Sequence, residues 1–148
     1  MLFWVVFVGV RVFRFVPLLV VCMSGGGFRD HAGLAVRMFS EGVESMGRGD
    51  VAWACAAFYK AVEEAVKALA IAKNLDETRE ALARDRWTMG LLDSAARRLG
   101  DTAWCAWVHG YFLYTEGFGE GRLDAESVRA RVPIIEALIQ EVRRLLGQ

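Results

Sequence analysis

Two histidines, three cysteines and one dense run of charge are the residues of this 148-residue sequence whose types can do chemistry. His31 stands in Arg29-Asp30-His31, which reads as the wet start of a helix, and His109 stands among Trp104, Trp107, Tyr111 and Phe112. A histidine titrates near neutral pH and serves as an acid or base when a cation or carboxylate meets it. The nearest arginines upstream of His109 are Arg97 and Arg98, eleven or more residues away and across Gly100-Asp101. His109, Arg97 and Arg98 are therefore candidate catalytic residues only if the fold brings them together. The competing reading is a histidine hydrogen-bonded to a neighbour within a crowded aromatic helix.

Cys22, Cys55 and Cys105 are odd in number, far apart and without a Cys-x-x-Cys pair. Two fall in apolar helical stretches, where a free cysteine behaves as a small hydrophobe, so a reducing cytoplasm is expected. No His-Glu-x-x-His spacing exists to hold a metal, and no cofactor motif is present. Gly117-Phe118-Gly119-Glu120-Gly121 is too irregular for a phosphate fingerprint and lacks the lysine of a P-loop; it reads as a loop, a hinge or lid at most. Arg48-Gly49-Asp50 spells an adhesion tripeptide, but Asp50 already has a helix-capping role.

The charged run lies in Asp50–Asn74, the stretch around which the rest is organised. At a helical step of about 100° per residue, Lys60, Glu63, Glu64 and Lys67 share an arc of roughly 100°, and Ala, Val, Trp, Phe, Tyr, Leu and Ile fill the remainder. Lys60 with Glu64, and Glu63 with Lys67, are i,i+4 pairs that read as the solvated edge of a helix packed on its other sides.

Around this central helix the pattern is helical throughout. Phe28–Met46 is amphipathic and forms a hairpin with the central helix through Gly47-Arg48-Gly49-Asp50, where glycine permits a left-handed turn. Asp76 is placed to cap a short piece, 77–85, followed by a helix from about Arg86 to Leu99. Gly100 and Asp101 read as stop and N-cap before Thr102–Tyr114, whose aromatic residues surround the helix. Asp124 caps a last helix whose apolar phase continues to the C-terminus across a kink or short break at Val132-Pro133. The expectation is an all-α up-and-down bundle of four to five helices spanning residues 24–148.

Residues 1–23 form an apolar extension with Arg11, Arg14 and Pro17 near its middle. Three readings compete: a start assigned too early, with Met23 opening the domain; a signal or membrane anchor; or a strand or helix packed on the domain. Two central arginines each cost a membrane span on the order of 2.5–3.5 kcal/mol. The 18 basic and 18 acidic residues cancel, so net charge does not recruit nucleic acid, and a membrane partner is expected only if residues 1–23 form part of the protein. Trp53, Trp104, Trp107 and Tyr111 exceed what one small bundle hides and are interface candidates for a homodimer.

The stretches GRGDVAWACAAFYKAVEEAVKALA, RWTMGLLDSAARRLG and WCAWVHGYFLYTEGFGEGRLDAESVRARVPIIEALIQEVRRLL, in this order, resemble the PaREP family of archaeal paralogues, whose domain is similar to the HEPN (higher eukaryotes and prokaryotes nucleotide-binding) superfamily. The resemblance implies a HEPN-like helical bundle, commonly a homodimer, with superfamily members acting as RNases or as partners of minimal nucleotidyltransferases. Those RNases carry an arginine followed four to six residues later by a histidine, and neither His31 nor His109 has that spacing. The expected function is therefore a non-catalytic helical module acting by homodimerisation or by binding a protein partner. An RNase or nucleotide-binding relative and a membrane-tethered domain are the alternatives.

Overall fold

The computed structural model describes residues 26–148, so the expectations about residues 1–23 lie outside the described residues. The described chain runs α1 (Phe28–Gly47), α2 (Val51–Ala72), α3 (Asp76–Ala83), α4 (Met89–Leu99), α5 (Asp101–Phe112), a π-helix (Leu113–Gly119), α6 (Ala125–Arg129) and α7 (Val132–Leu146). It is all helical, as the periodicity implies.

Helix α2 is the axis of the bundle and touches each of the other elements. Its alanines make this possible. Ala54, Ala57, Ala61, Ala65, Ala68 and Ala70 are fully buried, and residues with so little side chain let neighbouring backbones close in while keeping strong helix propensity. Its densest packing is against α1, the other arm of the hairpin. Gly42 of α1 sits over the ring of buried Phe58, which also meets Phe39 with centroids 5.7 Å apart. The hairpin turn works as its sequence implies: Gly49 takes the left-handed conformation at φ 77°, and Asp50 accepts the Trp53 backbone N–H at 3.1 Å. The Trp53 indole then donates to Glu41 of α1 at 3.1 Å, and Arg48 donates to the same oxygen at 3.0 Å. One side of Trp53 is thus occupied in pinning the turn.

Several boundaries differ from the sequence reading for local reasons. Leu75, not Asp76, is the N-cap of α3; Asp76 is its first residue and pairs with Arg79 and with Arg98 of α4. Helix α4 begins at Met89 rather than Arg86, because Asp85 turns left-handed at φ 52° and Thr88 caps α4 through the Leu91 N–H at 3.3 Å. Between α4 and α5 there is a single hinge residue, Gly100 at φ 111°, so Asp101 is the first helical residue and not a cap. The segment read as a glycine loop continues the helix as a π-helix through Gly119. Near the C-terminus Asp124 caps α6 through Ser127 N–H at 2.7 Å, and the expected interruption is a short break, with Pro133 in the first turn of α7 where its missing N–H costs no hydrogen bond.

Candidate functional site

The charged stripe of α2 is buried, not solvated. Glu64 is fully inaccessible, Lys67 is 4% exposed and Lys60 is 8% exposed. Lys60 Nζ lies 2.9 Å from Glu64 Oε1 and 3.1 Å from Glu63 Oε1, and Lys67 Nζ lies 2.9 Å and 2.5 Å from the same two oxygens. The other Glu64 oxygen meets Nδ1 of His31 at 2.5 Å, across from α1. His31 is therefore no free residue at a wet helix start: it is half-buried and tied to the core carboxylate. Burial alone would raise the pKa of Glu64, but the His31 hydrogen bond and the Lys67 and Lys60 ammonium groups outweigh it and draw the pKa down to about 2. Burial likewise opposes the charge of Lys60, and Glu63 with Glu64 reverse that and raise its pKa. The cluster holds its ions by mutual neutralisation, and charge within it is locked rather than poised for transfer.

This geometry carries a pH signature. A folded-state pKa below the unfolded value means that the stabilisation is present above the ordinary glutamate pKa of about 4.3 and is lost as pH falls through about 2. Carboxyl carbon NMR is expected to find Glu64 still ionised at about pH 3, where ordinary glutamates are protonated. A midpoint near the ordinary value would contradict the network.

His109 does not meet Arg97 or Arg98. Arg97 pairs with Asp93 at 2.8 Å and lies over the Trp104 ring, while Arg98 turns to Asp76 and Glu77 of α3. The cation that His109 does feel is Arg131, from the turn between α6 and α7. Partial burial and this neighbouring positive charge both lower the His109 pKa. The Arg131 guanidinium stacks 4.4 Å from the Phe112 ring centroid and donates to Ser127 O at 2.7 Å. Sequence reading missed Arg131; the signal available was Pro133, which marks the break that frees residue 131 to turn back onto α5.

Beneath this seam lies Cys55, fully buried, whose thiol pKa burial pushes up to about 11 against the opposing pull of Arg131. Cys105 lies in the apolar helix α5 as expected, yet it is exposed, because α5 presents apolar residues to solvent as well as to the core. In a Cys22→Ser chain diluted to the monomer a thiol reagent is expected to modify Cys105 at once and Cys55 only on unfolding. Equal rates for the two would contradict the placement of Cys55.

Of the aromatic interface candidates, Trp107 is removed by the fold. It is 3% exposed, its indole donates to Asp93 at 3.3 Å, and it packs against Tyr59. Trp53 and Trp104 are half-buried, and Tyr111 is 45% exposed. Beside Tyr111 the outward side of α5 shows Cys105 and Val108. A stacked series, Tyr59 on Tyr114 at 4.6 Å and Tyr114 on Phe118 at 5.7 Å, continues it along the π-helix. Among the described residues no group of His, Cys, Asp and Glu has the arrangement to hold a metal ion, and no helix is long and apolar enough to cross a membrane.

Comparison with known proteins gives a consistent picture. The model of the archaeal PaREP1/PaREP8 family matches residues 30–139. A crystal structure of a Sulfolobus solfataricus protein superposes with a TM-score of 0.70 at 29% identity, covering 76% of this chain and 96% of that one. A solution structure of the same structural-genomics target gives a TM-score of 0.69 at 29% identity, covering 78% and 92%. No curated protein matches.

Proposed function

This chain belongs to the archaeal PaREP1/PaREP8 family, and from that premise we propose that it is a non-catalytic, HEPN-like helical module that works by pairing with a second copy of itself through the outward face of α5. The observation that carries this reading is the composition of that face. From Thr102 to Leu113 the helix has no charged side chain other than the titratable His109, and Val108 and Tyr111 are each 45% exposed. Solvated helix faces ordinarily carry Lys, Glu or Arg, and a contiguous apolar surface in their place marks an interaction site.

The stacked Tyr59, Tyr114 and Phe118 extend the patch with rings already held by one another, so little rotamer freedom is lost when the patch is covered. With no permanently charged side chain from Thr102 to Leu113, this stretch offers little electrostatic selection for a charged partner such as nucleic acid, and it suits a self-complementary two-fold contact. Sedimentation of the full chain is expected to show a dimer, and Val108→Glu, which places a charge at the centre of the face, is expected to give a folded monomer. A wild-type chain that stays monomeric at high concentration would remove this reading. A dimer untouched by Val108→Glu would place the interface elsewhere.

A further inference from the structure

The outward stripe of α5 has an unpaired acid at one end and an unpaired base at the other. Asp101, Cys105, Val108 and Phe112 follow one another at steps of four, three and four residues and so lie along one side of the helix. The first three are exposed. At the N-terminal end, Asp101 has no ion pair and no side-chain hydrogen bond among the described residues. At the C-terminal end, the Phe112 ring carries the Arg131 guanidinium, 4.4 Å from its centroid. Arg131 likewise meets no carboxylate among the described residues. Its Nη1 donates to Ser127 O and its Nε is buried, but Nη2 makes no hydrogen bond and reaches the surface. The other charges near the two ends are already satisfied: Arg97, over Trp104, pairs with Asp93, and Arg122 pairs with Glu116 and Glu120.

We propose that two copies of the chain lay their α5 helices antiparallel, so that Asp101 of each copy meets Arg131 of the other. This rests on the pairing through α5 inferred above and gives it a direction and a register. Asp101 and Phe112 are separated by about 16 Å along the helix axis. A two-fold axis crossing the stripe between Cys105 and Val108 therefore brings Asp101 over Phe112 of the second copy, where the guanidinium sits. The same axis sets Cys105 against Val108 of the second copy, uncharged on both sides. The parallel alternative, with the axis running along the helices, sets Asp101 against Asp101 and Arg131 against Arg131. Like charges facing one another suppress that arrangement, so the two unpaired groups select the antiparallel one. Both contacts lie at the rim of the apolar stripe, where they fix orientation while the aliphatic and aromatic centre supplies the buried area.

Sedimentation of the full chain and its variants tests this, with circular dichroism showing that each is folded. Asp101→Arg makes both symmetric contacts repulsive and is expected to weaken the dimer by about tenfold or more, with Asp101→Asn, which only removes the attraction, between it and the wild type. Arg131→Asp is expected to act in the same way, and the chain carrying Asp101→Arg and Arg131→Asp together to recover the dimer. Mixing the two single variants, at a concentration where neither dimerises alone, is expected to give a heterodimer, because both contacts then join opposite charges. A dimer that Val108→Glu breaks but Asp101→Arg leaves as tight as wild type overturns the antiparallel register while pairing through α5 stands. A wild-type monomer, or a dimer that Val108→Glu leaves intact, removes both. Single variants that weaken the dimer yet recover it neither in combination nor on mixing also overturn the register. Should Arg131→Asp fail to fold, Arg131→Gln takes its place in a double-mutant cycle: the penalty of Asp101→Arg is expected to shrink in that background, and an undiminished penalty overturns the contact.

Discussion

Glu64→Leu is expected to destabilise the protein by about 3–5 kcal/mol, because it leaves two ammonium groups buried with one carboxylate between them. Lys60 and Lys67 are 8% and 4% exposed, and each lies 2.9 Å from Glu64 Oε1. Without that oxygen they share Glu63 alone, and His31 loses the acceptor that ties α1 to α2. Urea unfolding measures the loss. The quadruple change Lys60→Met, Glu63→Gln, Glu64→Leu and Lys67→Met is expected to cost less than Glu64→Leu by itself, since it removes the two ammonium groups together with both carboxylates that neutralise them. A loss under about 1 kcal/mol for Glu64→Leu would mean that the cluster is hydrated and behaves as a surface pair.

The second large effect concerns Gly42 and Phe58. Phe58 is fully buried, and its truncation to alanine is expected to cost about 3–5 kcal/mol. A Cβ on Gly42 would stand 2.6 Å from Phe58 Cε1 and 2.7 Å from Cδ1, inside van der Waals contact with a ring that the core holds in place. Gly42→Ala gains about 1 kcal/mol of helix propensity but meets an overpacking penalty of about 1–3 kcal/mol, so the net sign is destabilising in the wild-type chain. In the Phe58→Ala background the clash is gone and the propensity gain remains, so the same substitution is expected to stabilise. A double-mutant cycle reads this reversal directly. A stabilising Gly42→Ala in the wild-type chain would show that α1 and α2 are not packed as described.

These two sites illustrate what the sequence made legible. The helical identity of α2 and its central place follow from an alanine-rich, nearly all-round apolar pattern, and Asp50, Gly49 and Asp124 announce their turns and caps through chemistry local to a few residues. The state of Lys60, Glu63, Glu64 and Lys67 is different in kind. Helical phase puts them on one face but does not say what covers that face, and long lysine stems make either a wet or a buried edge compatible with the spacing. The decisive partner, His31, is 33 residues away from Glu64. Arg131 was hidden for the same reason: Pro133 reveals the break, but only the packing of α7 on α5 shows where the freed side chain turns. The π-helix escaped because Gly117 and Gly119 read as loop-formers, whereas Gly117 is needed where the helix passes directly over the side chain of Cys55.

The reading of α5 as a self-association face is tested most directly through Cys105, which lies exposed on that face while Cys55 is buried. A nitroxide label at Cys105 in a Cys22→Ser chain reports the distance between two copies by electron paramagnetic resonance. Pairing through α5 requires a short, narrowly distributed distance that vanishes in Val108→Glu. A labelled chain that sediments as a dimer yet shows no coupling between labels, or an unlabelled chain that remains monomeric at high concentration, would contradict it.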